Sequence, residues 1–276
     1  MIMRNEISTI VSIADIHIMN YQRLEESRAS MERFIYDMDQ VVHPDRIVIA
    51  GDLIHAKNQP SPEAADLAGW FLKECAKIAV VVIVLGNHDL LVENKDRMDA
   101  ITPIINQLNN PRIKFYKNTG PFPDENVVWA VYSVYDEQIP EIPVKISSRV
   151  QKYYGIFHGP IQGAVLDTGF KFNDDGASTR IFDDLDAVFC GDLHNRFVLT
   201  NNIDAPIIMV GSFTQLDYRE NIDEHGYCIF NVQDGSYSFV NIPSNVKYMT
   251  FQITDIEDIQ NGTEKLLKKT INDSKI

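Results

Sequence analysis

Ala79-Val80-Val81-Val82-Ile83-Val84-Leu85-Gly86-Asn87-His88-Asp89 is the stretch from which the rest of the chain can be read. Six of its first seven residues are β-branched or large aliphatic, so it reads as a strand buried on both faces, as in a parallel sheet. Gly86 breaks the strand, and an amide, an imidazole and a carboxylate follow at once. In open α/β sheets the ligand crevice lies just beyond the carboxyl ends of the strands. Three polar groups at that point suggest chemistry more than folding.

Working outward, the same pattern recurs. Ile7 to Ile13 is apolar and β-branched and ends in Ala14-Asp15-Ile16-His17; Ile47 to Ala50 runs into Gly51-Asp52-Leu53-Ile54-His55. Helical spacing of Leu24, Met31, Phe34, Ile35 and Met38 predicts a helix from about Arg23 to Val42, with Pro44 beyond it. Ser61-Pro62-Glu63 is a helix start, with an N-cap Ser, Pro at the first position and an acid in the first turn. That helix extends to about Lys77, and a shorter one is expected over Asp99–Asn109.

From Arg112 the texture turns to short strands. They are expected at Ile113–Tyr116, Val127–Tyr132, Tyr154–Phe157, Ala187–Cys190, Phe197–Thr200, Ile207–Val210, Tyr227–Val232 and Tyr237–Ile242. Alternating strands and helices followed by strand-rich sequence predict a layered α/β fold with two facing sheets. After Pro243 the pattern changes again, to a strand over Lys247–Ile253 and a helix over Glu257–Asn272. The expected division is a domain over 1–243 and a small element over 244–276.

The 276 residues are 45% apolar and 23% charged, as in a globular protein and unlike a disordered one. No apolar run approaches the length of a membrane span, the N-terminus has no small-residue cleavage pattern, and three isolated cysteines suit a reducing cytoplasm. The net charge of −14 argues against non-specific attraction to nucleic acid. Carboxylates gathered around cations would make that sum misleading.

Five strand ends carry metal-type side chains: Asp15 and His17; Asp52 with His55 nearby; Asn87 and His88; His158; Asp192 and His194. Parallel strand ends lie about 4.8 Å apart, close enough for their side chains to converge. Carboxylate, amide and imidazole donors without thiolate suit Mn2+, Fe2+ or Zn2+. Two ions need a bridging carboxylate, and Asp52 is central to the set. If Asn87 binds through its carbonyl oxygen, His88 is left beside the site, placed to touch a scissile phosphate.

Singly, these residues have blander readings. Asp or His after a strand is commonly a turn former, and His158 before Gly159-Pro160 could be a satisfied buried histidine. Asp89 is expected to orient an imidazole or cap a turn, and His43 and His225 to face solvent. Five motifs in this order, each behind a strand, make the bland readings improbable together.

The order Asp-x-His, Gly-Asp, Gly-Asn-His-Asp, His-Gly and Gly-x-x-His resembles the calcineurin-like metallophosphoesterase superfamily. Gly51-Asp52-Leu53-Ile54-His55, Gly191-Asp192-Leu193-His194, Val210-Gly211-Ser212 and His225-Gly226-Tyr227 are similar to the SbcD-type DNA repair exonucleases and, most closely, their phage recombination-endonuclease branch. The resemblance covers residues 7 to 243. It implies a four-layer αββα sandwich and a DNA nuclease, exonuclease and single-strand endonuclease, with two Mn2+ ions (Mg2+, Fe2+ or Zn2+ in their place).

It also implies one ion on Asp15, His17, Asp52 and His194 and the other on Asp52, Asn87 and His158. His88 would be the catalytic histidine, and His55 would match a family histidine that assists at the site. Many members carry His where this chain has Asp192, which implies an altered second metal site. The implied partners are DNA and an SMC-like ATPase of the SbcC type, with the nuclease often a homodimer in the cytoplasm of a bacterial cell or phage-infected host. The tail over 244–276 would be a shortened capping or partner-docking element.

Two other functions compete with this one. A phosphoesterase acting on small-molecule or cyclic-nucleotide diesters would use the same site and is mildly favoured by the acidic charge. Asp89 in place of Glu weighs against the protein-phosphatase branch. A non-catalytic scaffold would keep the fold and bind no metal, against a nearly complete ligand set.

Overall fold

The structure, a computed structural model, describes residues 6–94, 96–136, 138–140, 142, 152–165, 169–173, 175–244 and 246–249. Strands β1 (Thr9–Ile13), β2 (Arg46–Ala50), β3 (Val80–Val84) and β4 (Ile113–Tyr116) pair in parallel in that order. The connections carry α1 (Leu24–Asp37), α2 (Pro62–Ile78) and α3 (Ile101–Leu108). Two strands from the end of the described chain, β11 (Gly226–Asn231) and β12 (Tyr237–Asn241), extend this sheet antiparallel beyond β1.

The second sheet has the order β5 (Gly120–Asp124), β6 (Val127–Val131), β7 (Lys152–His158), β8 (Ala187–Gly191), β10 (Pro206–Met209) and β9 (Phe197–Thr200). Its inner pairs β6–β7, β7–β8 and β8–β10 are parallel, and its edge pairs are antiparallel.

Strand alternation sorts the apolar side chains into separate cores. In β2, Ile47 and Ile49 face the helices beside Phe34 and Phe71, whereas Val48 and Ala50 face the second sheet beside Trp129 and Phe189. Val81 and Ile83 of β3 divide from Val82 and Val84 in the same way. A third core lies on the far side of the second sheet, where Val188, Cys190 and Ile207 meet Ile161, Ala177 and Phe182. The chain is thus an α/β sandwich of two facing sheets with flanking helices. Among the described residues the fourth layer is thin: irregular segments and a single 3-10 turn, Thr179–Phe182.

The expected Ser61 cap is present, its Oγ accepting from the Ala64 N–H at 3.2 Å. The first helix covers the expected range but changes character within it. It passes into a π-helical turn, Met38–Val42, and stops at His43, which is left-handed (φ 51°) and exposed, before Pro44. Strand β5 is not evident in the sequence because Pro121 and Pro123 interrupt it; an edge strand tolerates prolines that a central one would not. Lys247–Met249 carry no regular structure, and the rest of the expected strand and the Glu257–Asn272 helix lie outside the described residues.

Candidate active site

The ends of β1, β2 and β3 and the facing ends of β7 and β8 meet at one edge of the sandwich. The convergence is therefore partly within one sheet and partly between sheets. His158 at the end of β7 crosses the gap, its Nδ1–H donating to the Ala50 carbonyl of β2 at 2.8 Å. That bond turns Nε2 back to within 3.4 Å of Asp52 Oδ2. His17 Nε2 approaches the same oxygen at 3.3 Å, so Asp52 lies between the two imidazoles.

The backbone is bent to achieve this. Asp15 (φ 50°), His17 (φ 49°), Asp52 (φ 55°) and Asp192 (φ 89°) all occupy the left-handed region, which is uncommon outside glycine and costs about 1–3 kcal/mol each. Two glycines admit the close approach. A Cβ on Gly86 would lie 2.1 Å from Asp52 Oδ1, and one on Gly51 (φ +94°) would lie 2.3 Å from His158 Nδ1.

Asp89 holds the turns together. Its Oδ2 accepts from the Asp52 and Gly86 N–H groups, both at 2.9 Å, and its Oδ1 from Ile54 at 2.8 Å. Of the two expected roles it takes the capping one. Imidazole orientation falls to other groups: His88 Nδ1–H donates to the His55 carbonyl at 3.0 Å, and His17 Nδ1 pairs with His55 Nδ1 at 3.1 Å. The His55 ring stacks on that of His88, with centroids 5.0 Å apart. The Asp52 carboxylate also fixes the His88 backbone, accepting its N–H at 2.7 Å.

The remaining side chains close the cluster. Asp192 donates its backbone N–H to both Asp15 oxygens (3.0 and 3.1 Å), and its Oδ1 accepts from Asn87 Nδ2 at 3.3 Å. His194 Nδ1 is held by Glu220 Oε1 at 2.7 Å. The other Glu220 oxygen accepts from Leu216 N–H (2.8 Å) and Ser212 Oγ (3.2 Å). All nine residues singled out in the sequence therefore lie in one place.

His225 corrects the sequence reading. It is buried, with Nδ1 against Ser212 Oγ at 2.9 Å and Nε2 against the Asn221 carbonyl. Its acidic neighbours in sequence suggested a solvated turn. The Ile242 N–H bonds its carbonyl at 2.9 Å, however, continuing the β11–β12 pairing and drawing the residue inward. Glu220 was missed altogether. The available signal is that a ligating histidine needs a partner for its second nitrogen, but nothing in the sequence separates Glu220 from the other acids nearby.

The donor set fits metal ions. His17 Nε2, His158 Nε2 and Asn87 Oδ1 are buried without a hydrogen-bond partner, a costly state unless a ligand completes them. Asp15, His17 and His194 bring ligand atoms within 4.8 Å of one another, as do Asp15, Asp52 and His158.

On protein charges alone the cluster is ill at ease. Burial pushes the Asp15 carboxyl up to about 7, with the neighbouring Asp52 adding to it, and burial raises Asp192 as well. Burial drives His17 well below the ordinary imidazole range. It opposes the charge on His158 too, but Asp52 foremost, then Asp15 and Asp192, raise that ring to about 10, while His158 holds Asp52 down to about 2 against its own burial. Against burial, Glu220 lifts His194 to about 8. Bound cations would take over the compensation that these imidazoles now share.

Sandwich and donor cluster together define an α/β protein with a candidate metal centre at its strand ends. The chain belongs to the calcineurin-like phosphoesterase family, whose model matches residues 8–196. It is 30% identical over 272 residues to an uncharacterized protein of Acanthamoeba polyphaga mimivirus, covering 95% of this chain and 20% of that protein. The chain thus spans about a fifth of that relative's length. It is 26% identical over 270 residues to the SbcD subunit of the SbcCD nuclease of Staphylococcus saprophyticus, covering 85% of this chain and 68% of that one. The crystal structure of a dimetal phosphatase from Danio rerio shares the fold, with a TM-score of 0.54 over 83% of this chain and 94% of the other at 14% identity.

Proposed function

We propose that the chain is a two-metal DNA nuclease, an exonuclease and single-strand endonuclease of DNA end processing and recombination, working beside an SbcC-type SMC-like ATPase. What supports the reaction class is the set of partnerless buried donors around Asp52. What supports DNA is the similarity to the SbcD subunit of a nuclease along 85% of the chain.

Asp15, His17, Asp52 and His194 would hold one ion and Asp52, Asn87, His158 and Asp192 the other, with Mn2+ the ion proposed. Such ions supply Lewis-acid stabilisation of the attacking and leaving oxygens at phosphorus. The chain's own contribution is the proton. With Nδ1–H committed to the His55 carbonyl, the half-buried His88 ring presents Nε2 as its reactive atom, edge-on to His17. There it protonates the leaving oxygen as the P–O bond breaks. His55 keeps His17 and His88 in place from the exposed side of the cluster and meets the substrate there.

The net charge of −14 favours a second reading, in which small diesters such as cyclic nucleotides replace DNA. Assay of the Mn2+-loaded protein on single-stranded DNA, blunt duplex ends, cyclic nucleotides and a generic phosphodiester separates the two. DNA cleavage is expected; turnover confined to the small substrates overturns the nuclease reading. Co-purification with the ATPase tests the proposed partner, and sedimentation of the free chain tests the homodimer that the resemblance implies. No described helix is long and apolar enough to cross a membrane.

A further inference from the structure

The two halves of the cluster differ in donor chemistry. Asp15, His17 and His194 place one carboxylate with two imidazoles, and Asp52 Oδ2 stands 3.3 Å from His17 Nε2. In the other half, His158 Nε2 is the nitrogen donor, facing Asp52 at 3.4 Å and Asp192 Oδ1 at 3.9 Å. Beside it Asn87 offers a buried oxygen without a partner. That half is therefore one imidazole among oxygen-bearing side chains, and Asp15, which also comes within 4.8 Å of Asp52 and His158, adds no nitrogen to it.

Asp192 is built into this arrangement. Its left-handed backbone is held by two N–H contacts to Asp15, and its carboxylate takes one hydrogen of the Asn87 amide, leaving the amide oxygen free. An imidazole at this position would give both halves two nitrogens. Carboxylate and carbonyl donors suit harder ions, and imidazoles suit Zn2+ and Fe2+.

We infer that Asp192 makes the Asn87–His158 half a harder site than the Asp15–His17–His194 half, so that the two positions prefer different ions. The softer half takes Zn2+ or Fe2+, and the harder half retains Mn2+ or Mg2+. The inference rests on the two-metal reading above. Zn2+ outcompetes Mn2+ at most nitrogen and oxygen sites, so the difference is expressed as a gap between two displacements.

The test loads the protein with Mn2+, titrates with Zn2+, and counts released Mn2+ by electron paramagnetic resonance and bound metal by elemental analysis. One Mn2+ per chain is expected to leave first, and the second to require at least about tenfold more free Zn2+. In Asp192→His the two displacements should merge. A single concerted displacement from the unmodified protein overturns the inference whatever the variant does. Two separate steps that persist unchanged in folded Asp192→His overturn the assignment to Asp192. Fewer than two Mn2+ per chain before Zn2+ is added overturns the two-metal reading, and this inference with it.

Discussion

Strand β2 joins two buried charge clusters that are built in opposite ways. At its first residue, the Arg46 guanidinium meets Asp124 through two hydrogen bonds of 2.8 Å. Lys114 Nζ (2.6 Å) and Trp129 Nε1 (3.0 Å) complete that carboxylate, tying the two sheets together. Burial alone would raise the Asp124 carboxyl, but those donors hold it down to about 2. At the other end of the same strand, Asp15 is pushed up to about 7 and three donor atoms have no partner. Both clusters contain a buried carboxylate, so burial of an acid alone does not distinguish them. What does is whether the protein supplies the partners itself. Where it does, the group holds the fold; where it does not, the group awaits something from outside.

The largest effect that this contrast predicts is at Asp52. Asp52→Ala removes the carboxylate between His17 and His158, and both bound Mn2+ and hydrolysis should be lost, the latter by more than about a thousandfold. Elemental analysis after Mn2+ loading, with single-turnover rates, checks this; full metal retention would mean that the open cluster is not a metal centre. His88→Ala should cost about 100- to 10,000-fold in rate with metal content unchanged, because His88 is assigned proton transfer and not coordination. If the metal disappears with the rate, His88 belongs among the ligands.

The closed cluster should respond in stability and not in function. Asp124→Ala removes the paired carboxylate from Arg46, which is 5% exposed and keeps Glu125 at 3.3 Å and the Asp45 carbonyl at 2.8 Å, and should destabilise the fold by roughly 1.5–3 kcal/mol in denaturant melts while the folded fraction still binds two ions. Its pH dependence has a definite sign. A carboxyl held below its ordinary 3.8 contributes stability that is complete above about pH 4 and is lost as the pH falls toward 2, a contribution of about 2 kcal/mol. Acid unfolding that is identical in the parent and Asp124→Ala would remove this residue from the account.

How far the sequence reveals each cluster follows from the same contrast. The open cluster was legible: its residues stand directly behind apolar strands, and Gly86 and Gly51 mark where a side chain would collide with Asp52 or His158. The sheet order around it was only partly legible. Alternating elements imply parallel β1, β2 and β3, but nothing local says that β11 returns to pair with β1. The closed cluster was invisible. Arg46, Lys114, Asp124 and Trp129 come from four strands or their ends, and each alone looks like an ordinary surface or core residue. Pairing across sheets depends on register, which turns and tertiary packing decide. His225 and Glu220 were misread or missed for the same reason, being placed by the β11–β12 pairing and the loop before it.

Glu220 is where the two kinds of cluster meet, and it gives the smallest predicted effect. Its carboxylate is satisfied like that of Asp124, by Leu216, Ser212 and His194, yet one of those partners belongs to the open cluster. The adjoining loop is also anchored, since Gln215 bonds the Tyr248 backbone twice, at 2.8 and 2.9 Å. Such a loop can keep its shape while the carboxylate changes. Glu220→Gln preserves that shape and removes the charge that fixes the His194 ring. Affinity for the ion on Asp15, His17 and His194 should fall about 10- to 100-fold, as when a ligating histidine loses its carboxylate partner. Affinity for the ion on Asn87 and His158 and the melting point of the metal-free protein should stay nearly constant. Isothermal titration with Mn2+ resolves the two steps. Equal weakening of both, or a lower metal-free melting point, would place Glu220 with Asp124 as a group that holds the fold.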